Sequence, residues 1–420
     1  MNKNKDYLIT EKPSRALFAF ALPMIIGNLF QQAYTIVDSA IVGHYVGETA
    51  LAAVGASYAL TSIFICVAIG GGIGASVIIS QHFGGHAYSR MKNSIRTAML
   101  SFLLISLLLG GIGLCFSRQI METLNTPADA MDIAVIYLNI YFYGLPFLFM
   151  YNILSSMFNA LGESRIPLYL LIFSSVLNIF LDLYMVATLH LGVAGAAYAT
   201  FIAQGISAVC SFLIFLRTLR RLDGKAETWF SKAEFSSMSR IALPSILQQS
   251  TVSIGMMLVQ SVVNGFGTQI LAGFSAGMRI ESLCVVPMSA IGNALSSYAA
   301  QNIGAEKHER IPLGYRAANI MVAITAVILC LFLELDSADF AVSAGASGAV
   351  FAVMGAMIYA VIRGRGHIED LSARQVVIMA AFSLYFGFTS EGVDNAAHVG
   401  GLICGFLLAV LLYHPSQRAG

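Results

Sequence analysis

The sequence predicts an all-α polytopic membrane protein with about twelve transmembrane helices. The 420-residue chain is 57% hydrophobic and only 11% charged, and its mean hydropathy is +0.77. Apolar runs of roughly 20 residues, the length that spans a bilayer, recur along the whole chain. Because the backbone inside a bilayer must satisfy its own hydrogen bonds, such runs form helices.

The apolar runs predict twelve spans, with both termini on the cytoplasmic side of a bacterial inner (plasma) membrane. The spans are 16–42, 51–80, 97–117, 133–158, 166–187, 193–216, 241–264, 270–300, 313–334, 341–362, 374–390 and 395–413. Cytoplasmic loops carry an excess of Lys and Arg, which provides a check on this topology. Of the 23 Lys and Arg, only Arg118 falls in a predicted outer loop. Arg279 lies within a span, and Arg316 and Arg374 lie at the cytoplasmic ends of the ninth and eleventh spans. Adding or removing one helix would destroy this separation.

Charge and cysteine content exclude several classes of protein. The net charge of +1 carries no information about partners, and the sequence has no basic patch that would indicate a nucleic-acid partner. The six cysteines are scattered singly through apolar runs, so they predict neither a disulfide framework nor a metal site.

An internal repeat underlies the topology, at an offset of about 220 residues. The matched elements are Ala21-Leu22-Pro23 with Ala242-Leu243-Pro244, Gln81-x-x-Gly84 with Gln301-x-x-Gly304, and Arg96 with Arg316. Repeated halves are typical of membrane transporters, whose substrate site lies between the halves.

The repeat also predicts the domain boundaries. A short cytoplasmic terminus (1–15) precedes a complete six-span N-lobe (16–216), a charged cytoplasmic linker (217–240) and a partial three-span C-lobe (241–334). The composition then changes, and a Gly/Ala/Ser-rich stretch begins a different segment. We place a seam at 335–340, a three-span segment at 341–413 and a tail at 414–420.

Asp38 lies within the first predicted span. A carboxylate in a membrane helix is costly, so it usually faces a cavity or a partner and indicates an ion site. Asn178 and Asp182 are four residues apart and share one helix face, so they could join Asp38 in one polar pocket. Such a pair of carboxyl groups could bind and release a proton or a cation. The alternatives are that Asp38 snorkels to the interface and that Asp182 is an interfacial anchor.

Residues 16–333 resemble the multidrug and toxic compound extrusion (MATE) family. The resemblance rests on motifs in several spans: Leu22-Pro23 with Val37-Asp38, Ala160-Leu161-Gly162-Glu163-Ser164-Arg165-Ile166-Pro167, Asn178-x-x-Leu181-Asp182, and Gly192-Val193-Ala194-Gly195-Ala196-Ala197-Tyr198-Ala199-Thr200 followed by Gln204. It implies a membrane antiporter that exports small organic, mainly cationic, compounds in exchange for protons or sodium, without a cofactor.

By this resemblance, Tyr137, Asn178, Asp182 and Thr200 surround Asp38 as a cation- or proton-binding site. For Tyr137 and Thr200 the alternative is ordinary helix packing. Some sodium-coupled relatives carry an acidic residue in the seventh span, where this chain has Gln248 and Gln249. We therefore expect proton coupling.

Residues 341–413 resemble the last three core helices of a rhomboid intramembrane serine protease. The motifs are Gly345-Ala346-Ser347-Gly348 and Val393-Asp394-Asn395-Ala396-Ala397-His398-Val399-Gly400-Gly401 with Gly405. The resemblance implies a catalytic dyad of Ser347 and His398 that cleaves a transmembrane protein substrate, because a histidine base activates the serine.

Compared with the six-helix core of a rhomboid protease, the rhomboid-like segment is incomplete. The first three rhomboid helices are missing, and no His-x-x-x-Asn pair, which helps hold the oxyanion in that family, occurs in the chain. Three hypotheses therefore remain: an antiporter fused to a truncated rhomboid segment, an intramembrane serine endopeptidase, and an inactive chimera. The first is our leading interpretation.

Overall fold

The computed structural model describes most of the chain up to residue 332 and shorter stretches beyond it. The described residues are 6–46, 48–123, 126, 128–264, 268–332, 354–359, 363, 367–368, 371–372, 378, 380–382, 385 and 395–412. The chain divides into two compact units, Met1–Leu329 and Cys330–Gly420. This division lies a few residues before the predicted seam at 335–340, whose own residues are outside the described part.

Long helices connected by short turns build the first unit. In chain order they are α1 (Tyr7–Thr10), α2 (Pro13–Tyr45), α3 (Glu48–Gly84), α4 (Tyr88–Thr123), α5 (Ala128–Ala160), α6 (Arg165–Asp182), a π-helical turn (Leu183–Thr188), α7 (Gly192–Arg220), α8 (Lys232–Asn264), α9 (Thr268–Gly304) and α10 (Arg310–Phe332). Each of the first nine predicted spans overlaps one of the helices α2 to α10, with the fifth continuing into the π-helical turn. Several helices extend beyond the apolar run, as α4 does, because a helical backbone does not end where the bilayer ends.

The second unit contains a short departure from the all-α prediction. β1 (His367–Ile368) pairs with β2 (Leu371–Ser372) in antiparallel register, with His367 opposite Ser372. The pair lies in the polar loop predicted between the tenth and eleventh spans, where the chain need not cross a bilayer. The last helix, α11 (Asn395–Leu412), coincides with the twelfth predicted span.

Seven helices of the described part are long and apolar enough to cross a membrane. They are Pro13–Tyr45, Leu60–Gly84, Tyr88–Thr123, Met131–Ala160, Arg165–Thr188, Gly192–Arg220 and Arg310–Leu329. The prediction of an all-α polytopic membrane protein is confirmed. The number of twelve spans stays a prediction, since most of the tenth and eleventh lie outside the described residues.

A large aromatic core holds α3, α4, α5 and α7 together. Phe83, Phe149, Phe158 and Phe215 are all buried within it. The rings of Phe158 and Phe215 meet edge to face, with centroids 5.1 Å apart. Edge-to-face packing adds to the energy of burial because the positive ring edge meets the negative ring face.

The short N-terminal helix α1 packs into the bundle. Leu8 is fully buried against α2, α9 and α10. The Tyr7 hydroxyl donates to the carbonyl oxygen of Gly162 at 2.9 Å, in the turn between α5 and α6. Gly162 has a φ of +77°, which favours glycine at this point of the turn. The segment before the first span is therefore bound to the helical bundle.

The segment between α7 and α8, which corresponds to the middle of the predicted linker, lies along α4. Lys92 donates through Nζ to the carbonyl oxygens of Leu222 and Gly224, both at 2.7 Å. The guanidinium of Arg96 stacks over the Trp229 ring, 4.9 Å from its centroid, an attractive cation–π arrangement. The linker is thus attached to the N-lobe by side chains of a single helix.

Candidate functional site

Asp38 and Asp182 lie close together in the structure. Asp38 is on α2 and Asp182 is the last residue of α6. Their carboxyl groups are within hydrogen-bonding reach of each other. Asp182 is fully buried, and Oδ1 of each residue is buried without a hydrogen-bond donor among the described residues. Two carboxyl groups in contact can form a hydrogen bond only when one of them carries a proton.

Asn178 connects this carboxyl pair to α7. The Asn178 amide is oriented so that its nitrogen donates and its oxygen accepts a hydrogen bond. In this orientation the nitrogen donates to Asp182 Oδ2 at 2.9 Å. Its oxygen then accepts from the backbone nitrogen of Thr200 at 3.1 Å and from Thr200 Oγ1 at 3.3 Å. The i, i+4 spacing of Asn178 and Asp182 places both on one face of α6, so a single amide bridges two helices.

Two tyrosines complete the surroundings of the carboxyl pair. Tyr137 of α5 is close enough to interact electrostatically with Asp38 and Asp182, and its ring packs beside the apolar cluster of Ile41 and Val186. Tyr34 of α2 was not predicted from the sequence, yet it lies close to Thr200 and near enough to both carboxyl groups to interact with them electrostatically. Tyr34 lies one helical turn before Asp38, and that spacing was the signal that could have revealed it.

The helix changes its geometry directly after Asp182. Residues Leu183–Thr188 form a π-helical turn before α7 begins. Such wider turns are rare and frequently occur at functional sites. The five residues that the sequence assigned to the ion site are therefore together in one cluster, on α2, α5, α6 and α7, beside an irregular turn.

A cavity of about 470 Å³, lined by both polar and apolar side chains, adjoins this cluster. Tyr34, Asn178 and Thr200 contribute to its wall, whereas Asp38 and Asp182 do not. Side chains from α2, α3, α5, α6, α7 and α9 line the remainder. The volume is within the range of sites that hold drug-sized molecules.

The structure does not describe the side chains of the candidate protease dyad, Ser347 and His398. Ser347 belongs to the residues that the structure does not describe, and His398 lies on α11 without a described side chain. Their pairing stays a prediction. Within the described residues, no group of three or more His, Cys, Asp or Glu is arranged to hold a metal ion.

Two family models match separate parts of the chain. MatE matches residues 23–184, and the Rhomboid domain matches residues 287–415. The second match begins within α9, upstream of the rhomboid-like segment that the sequence motifs placed at 341–413. The two matches account for different parts of the chain and do not overlap.

Bacterial proteins similar to the chain bear multidrug resistance names. The probable multidrug resistance protein YpnP of Bacillus subtilis (strain 168) is 31% identical over 298 residues, which cover 71% of this chain and 66% of YpnP. The multidrug export protein MepA of Staphylococcus haemolyticus (strain JCSC1435) is 23% identical over 426 residues, with 96% of this chain and 94% of MepA covered. The chain thus spans a little under two thirds of YpnP.

Solved structures share the fold at low sequence identity. A MATE crystal structure in the straight conformation has a TM-score of 0.75 at 22% identity, covering 98% of this chain and 97% of that one. A MOP superfamily transporter from Pyrococcus furiosus has a TM-score of 0.74 at 23% identity, covering 98% and 96%. From the family models, the chain carries a MatE domain at residues 23–184 and a Rhomboid domain at residues 287–415.

Proposed function

We propose that this chain is a multidrug efflux transporter that moves small organic compounds across the membrane in exchange for protons bound at Asp38 and Asp182. The single observation that carries the proposal is the contact between these two carboxyl groups beside a cavity large enough for a small organic molecule. A proton shared between them is the donor that their buried oxygens lack.

The surrounding residues suit a site that loads and releases a proton. Asn178 binds Asp182 and Thr200, and Tyr34 lies close to Thr200 while also lining the cavity. Movement of a compound in the cavity can therefore change the contacts of the carboxyl pair through Tyr34 and Asn178. The carboxyl pair could in turn change the shape of the cavity wall when it loses its proton.

The membrane orientation is part of this proposal. We place both termini and the linker in the cytoplasm of a bacterial cell, since the basic residues concentrate there. Fusions of a periplasmic reporter enzyme after Arg118 and after Arg221 check it. The first should be active and the second inactive.

Everted membrane vesicles test proton coupling with two probe compounds of different charge. A respiratory pH gradient is monitored by acridine fluorescence, and ethidium and riboflavin are added separately as a cationic and an uncharged probe. We expect at least one probe to dissipate part of the gradient in vesicles with the wild-type chain. Asp38→Asn and Asp182→Asn should abolish this signal, because each removes a carboxyl group of the pair.

Asp132→Asn is the matched control, since this carboxylate is exposed and pairs only loosely with Arg118 at 3.4 Å. It should leave the signal unchanged. A signal that persists in Asp38→Asn contradicts the proposal. A response that instead requires a sodium gradient would identify sodium, rather than the proton, as the coupling ion.

The Rhomboid match supports a second candidate, an intramembrane serine endopeptidase that uses Ser347 and His398. A fluorophosphonate probe should label the wild-type chain and Ser343→Ala but not Ser347→Ala or His398→Ala. Equal labelling of all four proteins would contradict the protease hypothesis, and so would the absence of labelling in all four. Loss of both the labelling and the proton signal leaves the inactive chimera.

A further inference from the structure

We propose that the surface formed by α4 and the segment between α7 and α8 binds the headgroup of an anionic phospholipid. The Arg96 guanidinium, stacked on Trp229, is the group that receives the lipid phosphate. This inference depends only on the membrane class of the protein and is independent of the transport function proposed above.

Hydrogen bonds from α4 fix the segment on both sides of Trp229. The side-chain oxygen Oδ1 of Asn93 accepts from the backbone nitrogen of Glu227 at 2.9 Å, two residues before the ring. The side-chain oxygen of Thr97 accepts from the backbone nitrogen of Ser231 at 3.0 Å, two residues after it. The ring is therefore held against α4 by the protein itself.

The Arg96 guanidinium is engaged on one face only. Its central carbon lies 4.9 Å from the centroid of the Trp229 ring, an attractive cation–π arrangement. Within the part of the chain that the structure describes, the Arg96 side chain makes no hydrogen bond and no ion pair. A guanidinium carries five N–H donors in its plane, and this fork fits two oxygens of a phosphate at once. Stacking on a ring leaves these in-plane donors available to a lipid phosphate.

Arg96 lies where the lipid-facing surface of α4 begins. Leu100, Leu104, Leu107 and Leu108 follow it at helical spacing, and all four are exposed. A stripe of exposed leucines on a helix long enough to span the membrane faces the lipid tails. One turn before this stripe, a side chain is at the level of the headgroups, where Arg and Trp are favourable.

The segment between α7 and α8 exposes aromatic rings beside this charge. Trp229 is 79% exposed, and Phe230 and Phe235 are also exposed, with their ring centroids 5.6 Å apart. Large rings with one polar edge, such as indole, are stable at the boundary between lipid tails and water. The surface therefore offers contacts to the apolar part of a lipid as well as to its phosphate.

The surroundings carry a surplus of positive charge. Residues 88–97 and 217–240 together contain nine Lys and Arg but three Asp and Glu. None of the nine pairs with a carboxylate among the residues whose side chains are described. Of the acids, Glu234 already accepts a hydrogen bond from α4, and Asp223 interacts electrostatically with Lys92. This imbalance favours an anionic headgroup over a zwitterionic one.

Trp229 is the only tryptophan of the chain, so its fluorescence reports on this surface alone. The full chain is placed in nanodiscs of phosphatidylcholine (PC) and phosphatidylglycerol (PG), and bromine on the acyl chains of one lipid quenches a nearby tryptophan. Two preparations contain the same fraction of PG and the same fraction of brominated lipid, but the bromine is on PG in one and on PC in the other. The quenching gives the binding constant of PG relative to PC. We expect a preference for PG of at least about fivefold, the effect of one basic residue at an anionic surface.

Arg96→Gln should lower this preference about fivefold, because it removes the charge that receives the phosphate. Arg96→Lys keeps the charge and the cation–π contact but loses the planar fork, so it should give an intermediate preference. This second variant decides the question if Arg96→Gln moves the ring, which unequal quenching by brominated PC alone would reveal. An unchanged preference in Arg96→Lys would then contradict the proposal.

Arg316→Gln is the matched control. Arg316 is the counterpart of Arg96 in the internal repeat and is exposed on α10, and among the described residues no ring stacks on it. The substitution removes the same charge and should leave the preference for PG unchanged. An equal loss of preference in Arg316→Gln would indicate a general effect of net charge and would overturn the proposal.

Two further results would overturn it. The first is equal quenching of the wild-type chain by brominated PG and brominated PC. The second comes from inorganic phosphate, which distinguishes a lipid headgroup from a free anion and is compared with sodium chloride at equal ionic strength. We expect the two salts to have the same effect on the preference for PG. If phosphate abolishes the preference where chloride does not, the surface binds soluble phosphate rather than the lipid.

Discussion

Gly84, the last residue of α3, lies directly against the main-chain carbonyl of Gln301 on α9. A Cβ atom on Gly84 would overlap the Gln301 carbonyl oxygen, and a Cβ on Gly304 would overlap the carbonyl oxygen of Gln81. The two copies of the repeated Gln-x-x-Gly motif thus pack against each other reciprocally. The Gln301 side chain also donates to the carbonyl oxygen of Ala160 at 2.8 Å, next to Asn159 of the cavity wall. This crossing holds α3, α5 and α9 together at one end of the cavity.

Gly84→Ala should destabilise the protein by about 1–3 kcal/mol, since the added methyl group forces two backbones apart. Thermal unfolding in detergent, followed by tryptic resistance, measures the change. Gly111→Ala is the control, because a Cβ at Gly111 meets no atom within 4 Å. That substitution should be neutral or stabilise by up to about 1 kcal/mol through helix propensity. Equal stability of the two variants would contradict a tight crossing.

Asn178→Leu should lower both stability and transport. It removes the donor to Asp182 Oδ2 and the acceptor for Thr200, leaving buried polar groups unpaired at a cost of about 1–3 kcal/mol. The unfolding temperature and the substrate-dependent proton signal in everted vesicles measure the two effects. Ser174→Ala, one turn earlier on α6, loses only a 3.4 Å contact to Ala203 and serves as control. A normal proton signal in Asn178→Leu would show that the amide does not support the carboxyl pair.

Glu234→Ala should loosen the contact between three helices. Glu234 Oε2 accepts a hydrogen bond from Ser94 Oγ at 2.7 Å and lies 3.0 Å from His82 Nε2, so it links α8 with α4 and α3. We expect a loss of about 1–3 kcal/mol in unfolding free energy, because two polar partners lose their acceptor. Glu227→Ala, at an exposed position, should have no measurable effect.

A double-mutant cycle with Ser94→Ala isolates the bond itself. The coupling energy should be about 0.5–3 kcal/mol, as for other residues in direct contact. Strictly additive effects of the two substitutions would argue that the Ser94–Glu234 bond contributes nothing.

Arg310→Gln should release the N-terminal helix α1. Arg310 donates to Asn302 Oδ1 at 2.9 Å and also contacts the carbonyl oxygens of Leu8 and Glu11. Once these bonds are lost, trypsin should cleave after Arg15 several-fold faster. Arg316→Gln, an exposed residue of the same helix, should leave the cleavage rate at the wild-type value. Unchanged cleavage of the Arg310 variant would mean that the burial of Leu8 alone holds α1.

The cluster around Asp38 was predictable in part. An acidic residue inside an apolar run stands out in any sequence, and the i, i+4 relation of Asn178 and Asp182 follows from helix geometry. Tyr34 did not stand out, because aromatic residues are common in membrane helices. The orientation of the Asn178 amide and the π-helical turn after Asp182 depend on neighbouring helices and have no local sequence signal.

The internal repeat was also predictable only in part. Matched Gln-x-x-Gly motifs were visible at a constant offset, but their reciprocal packing was not. A glycine in a helix indicates that another backbone packs closely against it, but the sequence does not identify which helix that is. Likewise, the basic residues Lys92 and Arg96 were expected at the cytoplasmic surface, and only the structure revealed that they hold the linker between α7 and α8.

By itself, the sequence determined the membrane class, the approximate spans of the described helices and the presence of two different family segments. The physical reason is local: a bilayer requires about 20 apolar residues per helix, with every backbone bond made inside that helix. The tertiary structure alone decided which helices meet, as in the pairing of Asp38 with Asp182 and of Gly84 with Gln301. Those contacts join residues far apart in the chain, and they depend on the shapes of whole helices packed together.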